Sequence, residues 1–317
     1  MTAIPLSLIQ LEHDRDIATI RVNRPQHLNS VNPAAICQLQ QAFDEVADDP
    51  AVCGIVFGGQ GKAFVVGAEL SFFLRNIKSN DLKRIVQYTE AGHRLMNTID
   101  ACPKPVVAAV GGVALGAGVE IALACDCIVA SPRASFGLPE TGLGIYPGFG
   151  GTQRTPRKVG VGLAKWLIYA GKTLSTIEAK RIGLVDEVVD HDELETVARR
   201  HIHTGTACRA EREPLSPELS AIEHFFETNP VERLRRGEAD TGGNRVLVRA
   251  MKPVATKGPV ALRLAERLID QGMSRTLAEG LQLEIDHVLD IFRTEDALRG
   301  LSFRANRQVG HPEFLGR

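Results

Sequence analysis

Short runs of β-branched residues alternate with helical patterns through the first half of the chain, and this alternation limits the folds open to it. Residues 17–22 (IATIRV) and 53–59 (CGIVFGG) predict strands, and 34–49 between them predicts an amphipathic helix. A buried strand with glycine turns over 104–116 and a strand over 127–131 continue the pattern on either side of the helix GVEIALACD. This order predicts an α/β fold of stacked β and α layers.

From about residue 152 the sequence becomes largely helical, with a last predicted strand at 184–189. The stretch 191–250 is charged and contains several prolines, so it predicts exposed helical segments joined by loops. Residues 258–272 and 275–292 then follow with the spacing of two amphipathic helices.

The change of character near residues 190–205 predicts a domain boundary. We expect a core domain over 1–200 and a helical C-terminal region over 201–317, with an enlarged insertion at about 191–250. The two C-terminal helices carry apolar stripes that a peripheral helical tail could not fully cover alone, which predicts an oligomer built through them, with part of each stripe facing its own core. The stripe residues are Leu262, Leu264, Ala265, Leu268, Leu277, Leu281, Ile285, Val288 and Leu289.

Composition argues against several classes of protein. The 317 residues carry a formal net charge of −1, which does not favour nucleic acid as a partner, and no apolar run is long enough to predict a membrane span. The N-terminal segment lacks the pattern of a secretory signal, and six cysteines in a chain of this length do not predict a disulfide framework. We therefore expect a cytoplasmic protein.

Cysteine and histidine pairs predict no metal site. Cys125 and Cys127 lack a second pair or a histidine cluster at zinc-ligand spacing. His201 and His203 lie on a polar stretch and are interpreted as solvated surface.

The segment 111–126 (GGVALGAGVEIALACD) joins glycines to a helix that is otherwise apolar. The free amides of the first turn of such a helix suit an oxygen that becomes negative during a reaction. Glu120 lies three residues after Ala117, on nearly the same face of the helix. An unpaired buried carboxylate is costly, so Glu120 is either a functional group or a solvated or ion-paired side chain.

Two further glycine-rich segments contain candidate site residues. In KAFVVGAEL (62–70) a strand end runs into Gly67 and Ala68, for which the alternative is an ordinary glycine turn. The loop SFGLPETGLGIYPGFGGTQR contains Glu140, for which the alternative is a surface carboxylate. Together with Glu120, it could hold one water, one carboxylate taking its proton while the other gives a proton to carbon.

Gly116, Ala117 and Gly118 mimic the start of a dinucleotide-binding motif. The third glycine position is Ile121, and the acidic residue expected about twenty positions later is missing. A Rossmann oxidoreductase is therefore not predicted, and the chain has neither a Walker motif nor a nucleophile elbow.

A series of motifs resembles, in the same order, those of the enoyl-CoA hydratase/isomerase (crotonase) family. They are VNRPQHLNSVN (22–32), KAFVVGAEL, GGVALGAGVEIALACD, SFGLPETGLGIYPGFGGTQRTPRKVG (135–160), GKTLSTIEAKRIGLVDEVV (171–189) and the C-terminal segment 278–307. The resemblance implies a crotonase-like spiral of β–β–α turns with C-terminal helices that form a trimer or hexamer.

The resemblance also assigns catalytic roles. The oxyanion-hole amides of the family fall on Ala68 and Ala117, the second of which is commonly glycine in the family. The two glutamates of the hydratases fall on Glu120 and Glu140. Glu120 would then act as the base on water and Glu140 would give a proton to the α-carbon.

Contacts with coenzyme A are implied in the same way. Lys62 matches a position near the CoA phosphates, and Gly67 and Gly116 are assigned to the binding of the substrate or its CoA. Phe303 aligns with a residue that meets the CoA of a neighbouring subunit in some members. The lysine usual near that position is replaced by Asn306 here.

These positions imply an enoyl-CoA hydratase, a hydro-lyase that converts 2-enoyl-CoA to 3-hydroxyacyl-CoA. The reaction needs no metal or redox cofactor, since CoA is part of the substrate. An isomerase or a CoA-thioester hydrolase would use the same oxyanion site, and a non-catalytic CoA-binding subunit is the alternative from another class. The presence of both glutamates favours the hydratase.

Overall fold

The computed structural model describes residues 6–205 and 214–317. Contacts between Cα atoms divide the chain into two compact units, each built from three segments. The first unit comprises Met1–Ala68, Ala91–Phe136 and Leu174–Glu213, and the second comprises Glu69–Glu90, Gly137–Thr173 and Pro214–Arg317. Residues 206–213 of the stretch 191–250 lie outside the described residues. The sequence-based division at residue 200 stays a prediction.

The described residues contain ten β-strands, most of them in the first unit. They are β1 Ile9–Asp14, β2 Ile17–Val22, β3 Gly54–Gly59, β4 Ala63–Val66, β5 Val106–Val110, β6 Val113–Leu115, β7 Cys127–Ala130, β8 Ser135–Gly137, β9 Thr173–Ser175 and β10 Glu187–Val188. The segment 104–116, expected as a buried strand with glycine turns, contains two strands separated by Gly111 and Gly112. A Cβ at Gly112 would lie 2.1 Å from the carbonyl oxygen of Lys62, so only glycine fits at this close approach.

The strands form two sheets. The six-stranded sheet has the order β1-β2-β3-β5-β7-β10 and is parallel apart from the β1–β2 hairpin. The four-stranded sheet has the order β4-β6-β8-β9. Successive strands from β3 to β8 therefore alternate between the two sheets, with helices between the pairs. This pattern confirms the predicted α/β fold and its β–β–α turns.

Fifteen α-helices lie in the described residues. They are α1 Pro33–Asp48, α2 Leu70–Lys78, α3 Leu82–Asp100, α4 Ala117–Ala124, α5 Gly151–Val159, α6 Val161–Ala170, α7 Thr176–Arg181, α8 Leu194–Thr204, α9 Pro217–Thr228, α10 Val231–Arg236, α11 Arg245–Met251, α12 Pro259–Met273, α13 Leu277–Asp286, α14 Val288–Phe292 and α15 Glu295–Ala305. Short 3-10 turns cover Pro25–His27, Glu140–Leu143, His191–Glu193 and Lys252–Thr256. No helix in either described range is long and apolar enough to cross a lipid bilayer.

Helix α8 packs against the six-stranded sheet. Leu194, Val197 and Ile202 belong to a buried cluster that includes residues of β2, β3, β5 and β7. A Cβ at Gly54 would lie 2.3 Å from Cγ2 of Ile202, so glycine at the start of β3 lets the last turn of α8 approach the strand. The prediction of helices in 191–250 is confirmed, but α8 is exposed on one face only, because its other face covers the sheet.

His201, which was interpreted as solvated surface, is mostly buried and contacts a carboxylate. Its side chain is only 14% exposed, and Nε2 lies 2.6 Å from Oε2 of Glu187. The interpretation as solvated surface is therefore wrong for His201. His203, two residues later in the same helix, is exposed.

Helices of the second unit pack closely on one another. A Cβ at Gly162 of α6 would lie 1.9 Å from the carbonyl oxygen of Glu223, so α6 and α9 meet backbone to backbone. Of the C-terminal stripe residues, the buried ones are Leu262, Ala265, Leu268, Leu281 and Val288, and the half-buried ones are Leu264, Leu277, Ile285 and Leu289. Much of each stripe is therefore covered within the chain. Assembly through the remainder stays a prediction.

The predicted helix 275–292 is two helices, α13 and α14. Thr276 and Glu279 form a capping box that starts α13. His287 leaves the helical conformation at φ −99° and ψ 3°, and its Nδ1 lies 2.7 Å from Oδ2 of Asp290. The single-helix prediction was wrong because the apolar spacing continues through the break.

Candidate active site

Two glycine turns follow neighbouring parallel strands in the first unit. Strands β4 and β6 pair with Val66 opposite Leu115. The next residues, Gly67 and Gly116, have positive φ values of 67° and 51°, which residues with side chains rarely adopt. Both strands are therefore redirected at the same edge of the four-stranded sheet.

The amides that follow these turns are available to a ligand. Ala68 and Ala117 each lie two residues beyond the paired positions, and neither N–H donates a hydrogen bond to the described parts of the chain. Ala117 is the first residue of α4, where an N–H has no partner inside the helix and the helix dipole is positive. Two such donors at one sheet edge can bind one oxygen that carries negative charge.

Asn29 supports the first of these turns. It is fully buried, and its Nδ2 donates to the carbonyl oxygens of Gln60 at 2.9 Å and Ala63 at 2.8 Å. The N–H of Val31 then donates to the carbonyl oxygen of Gly67 at 3.0 Å. The segment 22–32 thus holds β4 and the turn after it in place.

Helix α4 rests directly on strand β4. A Cβ at Gly118 would lie 2.1 Å from the carbonyl oxygen of Val65, a separation that no side chain allows. This glycine is therefore required for close packing, which fixes the first turn of α4 beside the end of β4.

Glu120 lies in the first turn of α4 and is 2% exposed. Its N–H donates to the carbonyl oxygen of Gly116 at 3.1 Å, so the residue is part of the regular helix. Every other residue of α4 but one is small or apolar and buried alongside it. Burial excludes the interpretation of Glu120 as a solvated side chain.

Glu140 opens a 3-10 turn in the second unit, directly after Pro139. Its side chain is 8% exposed, and Oε2 has no hydrogen-bond partner among residues 6–205 and 214–317. Burial raises the pKa of Glu140 from 4.5 to about 8, and a hydrogen bond from its own backbone amide opposes this only in part. The carboxyl group therefore keeps its proton at neutral pH and can donate it.

Thr141 fixes the turn that carries Glu140. Its Oγ1 donates to the carbonyl oxygen of Ile168 at 2.8 Å, and its own carbonyl oxygen accepts from the N–H of Gly258 at 2.9 Å. The turn is thus tied to the end of α6 and to the residue before α12.

Glu284, which is not among the predicted site residues, holds the segment that follows Glu140. It is fully buried on α13, and its carboxylate accepts from the N–H of Gly150 at 2.7 Å and of Thr152 at 2.9 Å. The Tyr146 hydroxyl donates to its carbonyl oxygen at 2.6 Å. A signal was present, since Glu284 occupies an apolar stripe at helical spacing from Leu281.

Glu284→Ala is expected to lower the free energy of unfolding by about 2–4 kcal/mol, because two buried N–H groups at the start of α5 lose a charged acceptor. Glu284→Gln keeps one acceptor oxygen, so its free energy of unfolding should fall by about half as much. Urea denaturation measures both values, with the exposed Gln282→Ala on the same helix as the control. An alanine variant as stable as the control would show that this carboxylate does not hold the loop.

The residues assigned to CoA lie at or near the surface. Lys62 is exposed directly before β4, and Phe303 is half-buried on α15. Asn306 and Arg307 after it are exposed. The proposed contacts of Lys62 and Phe303 with CoA stay predictions.

Comparison with known proteins adds an independent line of support. The family model described as enoyl-CoA hydratase/isomerase matches residues 12–208. Crotonyl-CoA hydratase of Syntrophomonas wolfei is 34% identical over 295 residues, which cover 93% of each chain. Short-chain-enoyl-CoA hydratase of Clostridium acetobutylicum is 40% identical over 195 residues, covering 61% of this chain and 73% of the relative.

Solved structures show the same fold. An enoyl-CoA hydratase from Rhodobacter sphaeroides superposes with a TM-score of 0.85 at 21% identity, covering 98% of this chain and 93% of that one. An enoyl-CoA hydratase from Bacillus anthracis is 30% identical with a TM-score of 0.57, covering 98% and 100%. The family model spans more than half of the chain, and a relative at 34% identity spans nearly all of it. The chain therefore belongs to the enoyl-CoA hydratase/isomerase family.

Proposed function

We propose that the protein is an enoyl-CoA hydratase, which adds water across the double bond of a 2-enoyl-CoA to give 3-hydroxyacyl-CoA. Relatives named crotonyl-CoA hydratase and short-chain-enoyl-CoA hydratase support this activity. The observation that carries the proposal is the pair of amides at Ala68 and Ala117, which have no hydrogen-bond acceptor among residues 6–205 and 214–317, on the unit that also contains the buried Glu120.

The two amides stabilise the charge that develops in the reaction. The thioester oxygen accepts hydrogen bonds from the N–H groups of Ala68 and Ala117. When water attacks the β-carbon, the electrons of the double bond move toward the thioester, and negative charge builds on that oxygen as an enolate. Donors fixed in the backbone need no reorganisation as the charge appears, so they bind the transition state more tightly than the substrate.

The two glutamates move the protons. Glu120 takes a proton from the attacking water, whose oxygen bonds to the β-carbon, and Glu140 gives its proton to the α-carbon. The pKa of Glu140, raised to about 8 by burial, supports its role as the acid. Exchange with solvent returns both groups to their starting states. The reaction uses no redox cofactor or metal, since the CoA thioester itself accepts the electrons of the double bond.

Assembly and location complete the proposal. We infer a cytoplasmic homo-oligomer, a trimer or a hexamer, from the composition of the chain and its resemblance to the family. The half-buried stripe residues Leu264, Leu277, Ile285 and Leu289 on the C-terminal helices support an interface there. Lys62 and Phe303 are proposed to contact CoA.

The activity is tested by mixing the purified protein with a short-chain 2-enoyl-CoA and following loss of the enoyl thioester absorbance. We expect 3-hydroxyacyl-CoA as the product, identified by mass. Glu120→Gln should lower turnover by roughly 10²–10⁴ because the base is lost. Glu45→Gln, an exposed glutamate of the same unit, serves as the matched control and should leave the rate unchanged.

Each other outcome has a distinct meaning. A 3-enoyl-CoA product would identify an isomerase, and free CoA would identify a thioester hydrolase. Binding of the thioester without turnover would identify a non-catalytic subunit. Glu120→Gln at the wild-type rate would remove Glu120 from the mechanism even if hydration is found.

A further inference from the structure

Three side chains with metal-binding atoms meet at one surface point of the first unit. They are Asp16, Cys53 and His203, and one ligand atom from each lies within 4.8 Å of the other two. Among the described residues, this is the one group of at least three histidine, cysteine or acidic side chains with such spacing. Its members are far apart in sequence, so only folding brings them together.

Neighbouring backbone contacts hold two of the three residues. Asp16 lies in the turn between β1 and β2, and Cys53 directly precedes β3. Because β2 and β3 are parallel neighbours with Ile17 opposite Gly54, the two residues adjoin. The N–H of Cys53 also donates to the carbonyl oxygen of Asp16 at 2.7 Å. This bond fixes the backbone positions from which the two side chains extend.

Helix α8 positions the third residue. His203 lies in its last turn, next to the buried Ile202. The side chain of Ile202 packs against Gly54, where even a Cβ would be only 2.3 Å away. The residue after Ile202 and the residue before Gly54 are therefore held beside each other by the packing of the helix on the sheet.

The ligand atoms already lie close to the spacing of a bound ion. Nε2 of His203 is 3.3 Å from both carboxylate oxygens of Asp16, and Sγ of Cys53 is 3.1 Å from Oδ2. A tetrahedral zinc ion with ordinary bond lengths places nitrogen, oxygen and sulfur ligands about 3.3–3.6 Å apart. The His203–Asp16 pair matches this spacing, the Cys53–Asp16 pair is a few tenths of an ångström shorter, and the Cys53 and His203 ligand atoms lie within 4.8 Å of each other.

We propose that Asp16, Cys53 and His203 bind one Zn²⁺ ion, with the fourth position taken by water. A thiolate, an imidazole and a carboxylate are the ligand types that zinc prefers. Binding displaces the proton of the Cys53 thiol into solvent, so the two negative ligands balance the charge of the ion. About half of the Asp16 and His203 side chains is exposed, and Cys53 is exposed, which gives the ion and the water access.

The ion would join three separate segments of the first unit. The hairpin turn after β1, the start of β3 and the end of α8 each supply one ligand. A ligand that binds only the folded state stabilises it by RT ln(1 + [L]/Kd), where [L] is the free ligand concentration and Kd its dissociation constant. The site thus links the stability of this unit to available zinc, and this inference does not depend on the proposed hydratase activity.

Cobalt titration of the reduced full-length protein tests the site, because thiolate-bound Co²⁺ absorbs in the near ultraviolet. We expect one Co²⁺ per chain, displaced by Zn²⁺, and a rise in melting temperature with added Zn²⁺. Cys53→Ser should abolish the absorption band, and Asp16→Asn or His203→Ala should weaken binding by about tenfold or more. Cys37→Ser and His27→Ala remove an exposed cysteine and histidine elsewhere and should change nothing.

Three results would overturn the proposal. The first is no thiolate–cobalt band in the wild-type protein. The second is a band that survives Cys53→Ser, which would mean an adventitious ion only. The third is an equal rise in melting temperature with Zn²⁺ in wild type and in the Cys53→Ser and His203→Ala variants. Circular dichroism of each variant without metal establishes that loss of binding is not loss of fold.

Discussion

Glu140→Gln is expected to lower the rate of hydration by roughly 10²–10⁴, the usual contribution of general acid–base catalysis. Glutamine keeps the shape of the side chain but has no proton to give to the α-carbon. Because burial raises the pKa of Glu140 to about 8, the wild-type carboxyl group is neutral at pH 7. The substitution therefore removes a proton donor without removing a charge. Steady-state rates with a short-chain 2-enoyl-CoA measure the effect.

Glu140→Gln is also expected to raise the free energy of unfolding relative to the wild type, by an amount that increases with pH. The carboxyl group loses its proton near pH 4.5 in the unfolded chain and near 8 in the folded chain. Between these values the unfolded state binds fewer protons, so the stability of the wild type falls with rising pH by up to roughly 1.36 kcal/mol per pH unit. Glutamine does not titrate. The stability advantage of the variant should therefore grow through this window and level off above it.

Urea denaturation of both proteins at several pH values from about 5 to about 9 measures the difference between their free energies of unfolding. The other titrating groups are the same in both proteins, so their contributions cancel in this difference. Glu45→Gln, at an exposed position, should show no such trend. A difference that stays constant with pH would mean that the pKa of Glu140 is not raised. A variant that gains stability but keeps its rate would show that the buried carboxyl group is not the acid.

Ala117→Pro is expected to lower the rate of hydration by about 10²–10³, the usual effect of losing one oxyanion donor. Proline has no N–H, so the substitution deletes the backbone donor that no side-chain truncation can reach. Ala117 is the first residue of α4, a position at which proline fits a helix well. Gly116 before it, at φ 51° and ψ −118°, has the mirror image of an extended conformation, which only glycine offers ahead of proline.

A control variant with proline at the start of another helix distinguishes loss of the Ala117 N–H from a general effect of proline on helix stability. Glu295→Pro places the same residue at the first position of α15, after Thr294 in an extended conformation at φ −72° and ψ 147°. This control should keep the hydration rate, and both variants should retain their circular dichroism spectra. Hydration at the wild-type rate by a folded Ala117→Pro variant would rule out this amide as an oxyanion donor.

Local patterns were sufficient to predict the architecture. The spacing of apolar residues located β2, β3, β7, α1 and α12 to within a residue or two, because these elements bury one face in a regular period. Glycines marked the turns after β4 and β6 because positive φ and close backbone approach favour this residue type. The family followed from the order of these motifs, and the candidate site residues followed from the family.

Properties that depend on distant neighbours were beyond local patterns. The burial of α8 depends on the sheet that it covers. In the sequence, Glu284 cannot be distinguished from other helical glutamates. Its role follows from the fold, in which the N–H groups of Gly150 and Thr152 donate to its carboxylate.

The sequence by itself determined which segments form strands and helices, where glycine is required, and which family the motifs resemble. Only the tertiary structure decided how each polar group is solvated. The sequence predicted that Glu140 lies in a loop, but its carboxyl group keeps its proton because it is buried in the folded chain. Asp16, Cys53 and His203 form a cluster only because α8 packs on the start of β3. Desolvation and ligand geometry arise from atoms that meet in space, and the spacing of residues along the chain does not encode them locally.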